Sequence, residues 1–100
     1  DTILINVDFL LDAFDINIQD LNIYPNPTDE FIFVEFAALN SNSVIISIDN
    51  TLGQEVLRKE FNNYKKNFFG RIDVNHLSQG IYYINLNYSN SITTKKITIK

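Results

Sequence analysis

The chain lacks several residue types, and each absence narrows the functions it could perform. Its 100 residues include no cysteine, methionine or tryptophan, and only three glycines and two prolines. Without cysteine there can be no disulfide and no thiolate metal site. Prolonged apolar runs are also missing, so we expect no segment that spans a membrane. The single histidine, His76, has no second histidine, cysteine or nucleophile motif nearby, which favours a solvent-facing turn residue over a catalytic one.

The carboxylates form no recognisable catalytic or metal motif. Asp8, Asp12 and Asp15 lack the Asp-x-Asp-x-Asp-Gly spacing of a calcium loop, and Asp29-Glu30 is typical of a turn. Paired carboxylates of the glycosidase kind have no support in the sequence. We therefore predict that the chain is not an enzyme and holds no metal or other cofactor.

Charge is distributed unevenly along the chain. Residues 1–20 carry five aspartates and no lysine or arginine, whereas residues 21–100 carry seven acidic and eight basic residues, and together they give the net charge of −4. This break predicts a boundary near residue 20, with residues 1–20 as an acidic linker or the end of a preceding domain. No concentrated basic face is evident, so we expect no nucleic-acid partner. The chain begins without Met or a signal peptide, and we interpret it as the C-terminal part of a longer protein.

The residues that are abundant favour β-structure. Fifteen isoleucines and an aromatic share of 13%, all Phe or Tyr, suit pleated sheets, and 45% hydrophobic residues are enough for one core. In residues 21–100, turn signals recur about every eight to twelve positions, as in an antiparallel sandwich. We predict an all-β fold, a seven-stranded antiparallel β-sandwich with an N-terminal linker or strand. The predicted strands are Leu21–Tyr24, Phe31–Phe36, Val44–Asp49, Gln54–Phe61, Phe68–Val74, Gly80–Tyr88 and Ile92–Lys100.

Residues 2–11 allow two interpretations. Ile3, Ile5 and Val7 begin an alternation typical of a strand that is buried on one face. A helical pattern through Val7, Leu10, Leu11, Phe14 and Ile18 also exists. The strand, followed by a linker, is favoured because a helix would bring aspartates onto or near one face, where they repel.

The clearest alternation lies in the last two predicted strands. In Gly80–Tyr88, one face carries Tyr82, Ile84, Leu86 and Tyr88, which we predict to lie in the core. In the final strand we expect Ile97 and Ile99 to point inward. We expect the lysines of this strand to be largely exposed, because charged groups are rarely buried without a partner.

Prolines and glycines indicate where strands end. Pro25 and Pro27 have no backbone N–H, and each restricts the residue before it to extended conformations, so the first strand must stop there. Gly53 follows Asn50-Thr51-Leu52 in a predicted hairpin turn, at a position that tolerates positive φ. Gly80 allows a bend or bulge where the chain re-enters a sheet.

Four of these features occur in an order that resembles a known family. They are Tyr-Pro-Asn-Pro, Gly-Gln-x-Val, Leu-x-x-Gly-x-Tyr and a terminal lysine-bearing strand. Together they resemble the type A C-terminal sorting domain of the type IX secretion system, over residues 21–100. One departure is Asp29-Glu30-Phe31, where many members have a glycine or small residue, which raises the question of how the first turn is formed. The candidate sorting residues are Tyr24, Pro25, Asn26, Pro27, Gly53, Gln54, Leu77, Gly80, Tyr82, Lys95, Lys96 and Lys100.

The resemblance implies a role as an address. Such domains are Ig-like sandwiches appended to secreted enzymes and adhesins of Gram-negative bacteria. The implied route runs through the periplasm and the outer-membrane type IX translocon to the cell surface or medium. The implied partners are the translocon, a β-barrel shuttle protein and a sortase, which cleaves before the domain. Residues 1–11 would then be the last strand of the preceding cargo domain, and residues 12–20 would form an accessible linker.

A rival hypothesis is an Ig- or fibronectin-like accessory module that binds carbohydrate or spaces other domains. It predicts function at exposed side chains and indifference to position in the chain, whereas the sorting role predicts dependence on the extreme C-terminus. The lysines have a structural interpretation as well, because lysines on an edge strand deter pairing between sheets. Gly53 and Gly80 are likewise explained by turn geometry alone.

Overall fold

The computed structural model describes residues 18–38, 43–62 and 67–100, and in these the chain forms seven strands and no helix. All five strand pairings are antiparallel, so the predicted all-β class is confirmed, and the arrangement is compatible with an Ig-like sandwich. The predicted strand at residues 2–11 lies outside the described residues. The strands are β1 (Ile18–Tyr24), β2 (Phe31–Ala38), β3 (Ser43–Asp49), β4 (Glu55–Asn62), β5 (Asn67–Asp73), β6 (Gly80–Tyr88) and β7 (Ser91–Ile99).

Two sheets share these strands. One has the order β1-β2-β5 and the other the order β4-β3-β6-β7, so the chain passes between sheets after β2, β4 and β5. β1 begins at Ile18, three residues before the predicted strand, because Ile18 and Gln19 pair with Ala38 and Ala37. The proposed domain boundary at residue 20 stays a prediction.

Period-2 alternation places the core between the sheets. The predicted inward residues of β6 are all buried, as are Ile97 and Ile99 of β7. β2 and β3 contribute every second residue in the same way, because each sheet has one covered face. The buried apolar residues are Ile32, Val34, Phe36, Val44, Ile46, Ile48, Phe68, Ile72, Val74, Tyr82, Ile84, Leu86, Tyr88, Ile97 and Ile99.

Two hairpin turns follow from local chemistry. Gly53 has a φ of 82°, as predicted, and the Asn50 side-chain oxygen accepts hydrogen bonds from the N–H groups of Leu52 (2.9 Å) and Gln54 (3.0 Å). Between β6 and β7, Ser89 and Asn90 both have positive φ, the backbone that a two-residue hairpin loop requires. Asparagine tolerates this conformation better than most residues.

Candidate functional site

The four sequence motifs are carried to one end of the sandwich, which we call the motif end. The antiparallel registers place there the end of β1, the start of β2, the β3–β4 turn, the connection from β5 to β6 and the end of β7. Residues 25–30, 50–54 and 74–79 form its connections. Motifs that are up to about seventy residues apart in sequence therefore share one surface region because strand direction alternates.

The Tyr-Pro-Asn-Pro motif ends β1 and then crosses to the other sheet. Pro25 follows the last residue of β1, and the peptide bonds preceding Pro25 and Pro27 are both cis. Asn26 then bonds to the outer edge of β7 with both atoms of its amide. Its Oδ1 accepts from the Thr98 N–H at 3.0 Å, and its Nδ2 donates to the Lys96 carbonyl at 3.3 Å.

Thr28 continues this contact with its backbone. Its N–H donates to the Thr98 carbonyl at 3.0 Å, and its carbonyl accepts from the Lys100 N–H at 2.8 Å, which makes a parallel bridge with Ile99. The buried Thr28 hydroxyl donates to the Phe31 carbonyl at 2.6 Å and accepts from the Glu30 N–H at 3.4 Å. We call Asn26–Thr28 with its bonds to β7 the edge clasp.

Thr28 of the edge clasp explains how the first turn forms although Asp29-Glu30-Phe31 stands where many family members have a glycine or small residue. The first turn contains Asp29-Glu30 instead of a glycine, and the Thr28 side chain closes it through the bonds to Phe31 and Glu30. The Glu30 carbonyl also accepts from the Val74 N–H at 2.9 Å. Thr28 was missing from the predicted site. Its signal in the sequence is a hydroxyl residue directly after the second proline, a residue type that favours such local turn bonds.

The Leu-x-x-Gly-x-Tyr motif forms a tyrosine corner. The Tyr82 ring is buried in the core, and its hydroxyl donates to the Ser78 carbonyl at 2.7 Å, four residues upstream. Leu77 packs against the core, and its N–H donates to the Val74 carbonyl at 3.0 Å. Gly80 has a φ of 153°, which side-chain-bearing residues rarely adopt, although an added Cβ would meet nothing within 4 Å. These contacts give the three residues a structural role.

The three lysines are exposed, as predicted, but they do not point the same way. Lys95 shares its face of β7 with the buried Ile97 and Ile99, whereas Lys96 and Lys100 lie on the opposite face. Lys95 and Lys96 line a groove of about 180 Å³ together with Asn26 and with Leu21 and Ile23 of β1. β1 and β7 are edge strands of different sheets, so this groove lies where the sandwich is open at its side.

None of the three lysines takes part in an ion pair with another described residue. In the described parts of the chain the ion pairs are Glu55–Arg58 and Arg71–Asp73, each at 3.1 Å. The Arg58 guanidinium has its pKa raised, first by its hydrogen bond to Glu55 and then by the charge of that carboxylate. β7 contains no acidic residue of its own. The groove is therefore apolar on its β1 side and cationic on its β7 side.

Gly53 and Gln54 share the motif end but not the groove. They belong to the turn between β3 and β4, and β6 separates β3 from β7. Gln54 uses its side chain within that turn, where its Oε1 accepts from the Asn50 Nδ2 at 2.9 Å. Leu52, at the tip, is 81% exposed. The structure thus brings Asn26, Lys95 and Lys96 together and leaves the Gly-Gln motif apart.

Aromatic side chains cover part of the outer face of the smaller sheet. Phe33 contacts Tyr24, Phe31 and Phe69, with ring centroids 5.0 to 5.6 Å apart. The Arg71 guanidinium lies 4.5 Å from the Phe31 ring centre. The Tyr24 pKa is raised, first by desolvation and then by the charge of Glu35. These rings lie on the face of the sheet opposite Ile32 and Val34, as the period-2 alternation of β2 indicates for Phe31 and Phe33.

His76 is an exposed turn residue, as predicted. Where the structure describes the chain, no three His, Cys, Asp or Glu side chains are grouped so that they could hold a metal ion. The same residues include no helix long and apolar enough to cross a membrane.

Comparison with protein families identifies a match that covers most of the chain. The family model described as "Secretion system C-terminal sorting domain" matches residues 22–100. The search of curated proteins found none that matches. The matched residues contain β2 to β7, the edge clasp, the tyrosine corner and all three lysines.

Proposed function

Because the chain belongs to the family of secretion system C-terminal sorting domains, we propose that it delivers an upstream cargo through the outer-membrane translocon of type IX secretion. A β-barrel shuttle protein and a sortase are the further partners in this proposal. The general role in sorting follows from the family alone. The domain is a C-terminal sorting signal, and its destination is the cell surface or the medium. No finding supports the rival role as a carbohydrate-binding or spacing module.

The observation that best supports recognition as a folded domain is the edge clasp. Asn26, near the N-terminal side of the domain, holds the backbone of Lys96 and Thr98, near its C-terminal side. The lysines therefore take their positions only after the first and last strands have come together. A partner that recognises these lysines beside Asn26 would distinguish a folded sorting domain from an unfolded one, because only the folded state brings the two segments together.

Sortase cleavage is expected outside the paired strands, because exposed and unpaired segments are the preferred sites of proteolysis. β1 starts at Ile18, and its pairing with β2 runs from Ile18 to Tyr24. A cut within that range would remove ladder hydrogen bonds and the half-buried Leu21 or Ile23 from the fold. We therefore place cleavage in the part of the predicted linker before Ile18, at residues 12–17. The domain carries no catalytic role in this proposal, since the sorting signal serves the cargo.

The test is a fusion of residues 12–100 behind a signal peptide and a fluorescent reporter, expressed in cells with and without a working type IX system. We expect reporter at the surface or in the medium only when the translocon is intact. A reporter without the tail, in the same cells, is the control for leakage. Equal export in the secretion-deficient strain, or retention in both strains, would contradict the proposal.

A further inference from the structure

The outer edge of β7 is covered along only half of its length. Register with β6 is continuous from Ser91 to Ile99, so the N–H and C=O groups of successive residues point alternately toward β6 and away from it. Those of Thr98 and Lys100 point away, because they bond to the edge clasp. By the same alternation, the N–H and C=O groups of Ile92 and Thr94 and the N–H of Lys96 also point away. Within the described residues no hydrogen bond engages them, and we call Ile92–Lys96 the open edge.

The surroundings of the open edge suit an extended peptide. An added strand would continue the four-stranded sheet and lie across the mouth of the groove formed with β1. Side chains on its inner face would meet Leu21 and Ile23, which are only half buried. The side chain of Ile92, 66% exposed, offers a further apolar contact on the outer face. Main-chain bonds would supply affinity and these alternate side chains would supply selectivity.

Charge determines which peptide fits best. Lys95 and Lys96 are adjacent, so one lies on each face of the open edge, and neither is in an ion pair with any residue that the structure describes. A second copy of β7 would bring the same lysines and no carboxylate. β4, the opposite edge strand of the same sheet, differs from β7 in charge, because its Arg58 is already paired with its Glu55. Opposite charges placed across a strand pair stabilise it, whereas like charges destabilise it.

On these grounds, and resting on the proposed function, we propose that the open edge binds an extended acidic segment of the export machinery by β-strand addition. The segment carries two neighbouring acidic residues, one facing Lys95 and one facing Lys96, with β-branched or other apolar residues on either side. Its inner apolar residue covers Leu21 and Ile23. Binding in this mode needs the outward N–H of Thr94 as well as the two lysine charges.

A matched pair of variants isolates the contribution of main-chain hydrogen bonds to peptide binding. Thr94→Pro removes the outward N–H, which bonds to no strand that the structure describes, and proline is tolerated on edge strands for this reason. Thr94→Val keeps the N–H. Both variants lose the bond from the Thr94 hydroxyl to the Asn85 side-chain oxygen, which is 2.7 Å long. Any difference between them therefore reports on the edge rather than on that bond.

Binding is measured with the full chain and a labelled octapeptide that has two central glutamates in a valine–threonine sequence. We expect the amide signals of Ile92, Thr94 and Lys96 to shift, and Thr94→Pro to bind at least about tenfold more weakly than Thr94→Val. A control peptide with two lysines in place of the glutamates should not bind. The double variant Lys95→Glu with Lys96→Glu should reverse this preference, and it tests the proposal even if Thr94→Pro does not fold. Equal binding by the two Thr94 variants, or no preference for the acidic peptide, would overturn the proposal.

Export of the reporter fusion separates this proposal from the proposed function. We expect the wild-type and Thr94→Val tails to be exported and the Thr94→Pro tail, if its melting temperature matches that of Thr94→Val, to be retained. Equal export of both variants would reject strand addition while leaving the sorting role intact. Failure of the wild-type tail would reject the sorting role, and the peptide measurement would still decide whether the open edge binds acidic strands.

Discussion

Single side chains in this domain carry both packing and polar roles, and Tyr82 is the clearest case. Its ring belongs to the core, while its hydroxyl reaches the Ser78 carbonyl at the corner before β6. The hydroxyl is only part-buried, so its contribution is that of one hydrogen bond, about 0.5–1.5 kcal/mol. Gly80 and Leu77, the other residues of the motif, belong to the same corner. The contacts of the Leu-x-x-Gly-x-Tyr motif therefore give it a role in folding.

Tyr82→Phe should lower the free energy of unfolding by about 1 kcal/mol, because it removes the corner hydrogen bond and keeps the ring. Urea unfolding of the full chain measures the change. Tyr83→Phe is the matched control, since Tyr83 is the next residue and its side chain is 39% exposed. It should change stability by less than about 0.5 kcal/mol. Equal effects of the two substitutions would show that the corner bond contributes nothing.

Leu86→Ala should cost about 2–5 kcal/mol, since Leu86 is fully buried in the middle of β6 and the substitution leaves a cavity. The control is Ile92→Ala at an exposed position, where a change below about 0.5 kcal/mol is expected. Chemical denaturation of both variants gives the comparison. A loss at Leu86 as small as that at Ile92 would mean that the faces of β6 are assigned the wrong way round.

At the scale of elements, β7 depends on the segment that follows β1. β7 is an edge strand, and an edge presents unpaired peptide groups that invite pairing with another chain. The edge clasp occupies these groups from Lys96 to Lys100, and Lys95 lies on the inner face beside the rest. Inward-pointing charge is a recognised protection of sheet edges. The same arrangement leaves Ile92–Lys96 accessible to a strand with complementary charge.

Asn26→Ala should weaken the edge clasp without disturbing the core. It removes the bonds to the Thr98 N–H and the Lys96 carbonyl, and both lie at the surface, so we expect a loss of about 1 kcal/mol. Hydrogen exchange of the Thr98 amide should become faster, while that of the buried β6 amides should change only with global stability. Asn75→Ala, in an exposed turn, is the control. Unchanged protection of Thr98 would show that Asn26 does not hold the edge in solution.

At the scale of the whole molecule, folding and signalling can be separated at the C-terminus. Deleting residues 96–100 removes Ile97 and Ile99 from the core together with their ladder bonds to β6, so we expect loss of both the fold and export. Replacing Lys95, Lys96 and Lys100 by Gln keeps the backbone and the core. Exposed charges contribute little to stability, so the melting temperature should stay nearly unchanged.

Export of the triple Gln variant should nevertheless fall, because complementary charge acts mainly on encounter and specificity. The exported fraction of the reporter fusion and the melting temperature are measured for the same variant. A triple Gln substitution at Arg58, Lys59 and Arg71, all exposed and all outside β7, removes the same number of positive charges and serves as the control. Unchanged export of the β7 variant would leave these lysines with edge protection as their only role.

The sequence by itself determined the class of fold, most strand bounds and the faces of β6 and β7. Alternation with period 2 is local information, and Tyr82, Ile84 and Leu86 could face the core in only one way once the strand was paired. Prolines and Gly53 marked turns because their backbone restrictions are also local. The order of the four motifs was sufficient to indicate the family that the comparison then established.

Only the tertiary structure decided what the motif residues touch. The bonds from Asn26 and Thr28 to β7 join positions about seventy residues apart, and no local pattern specifies which edge a segment will reach. The opposite orientations of Lys95 and Lys96 were implicit in the alternation, but the groove beside them exists because β1 of the other sheet lies near. Pairing between sheets depends on the packing of the entire core, so the surface proposed for recognition appears only when the chain is folded.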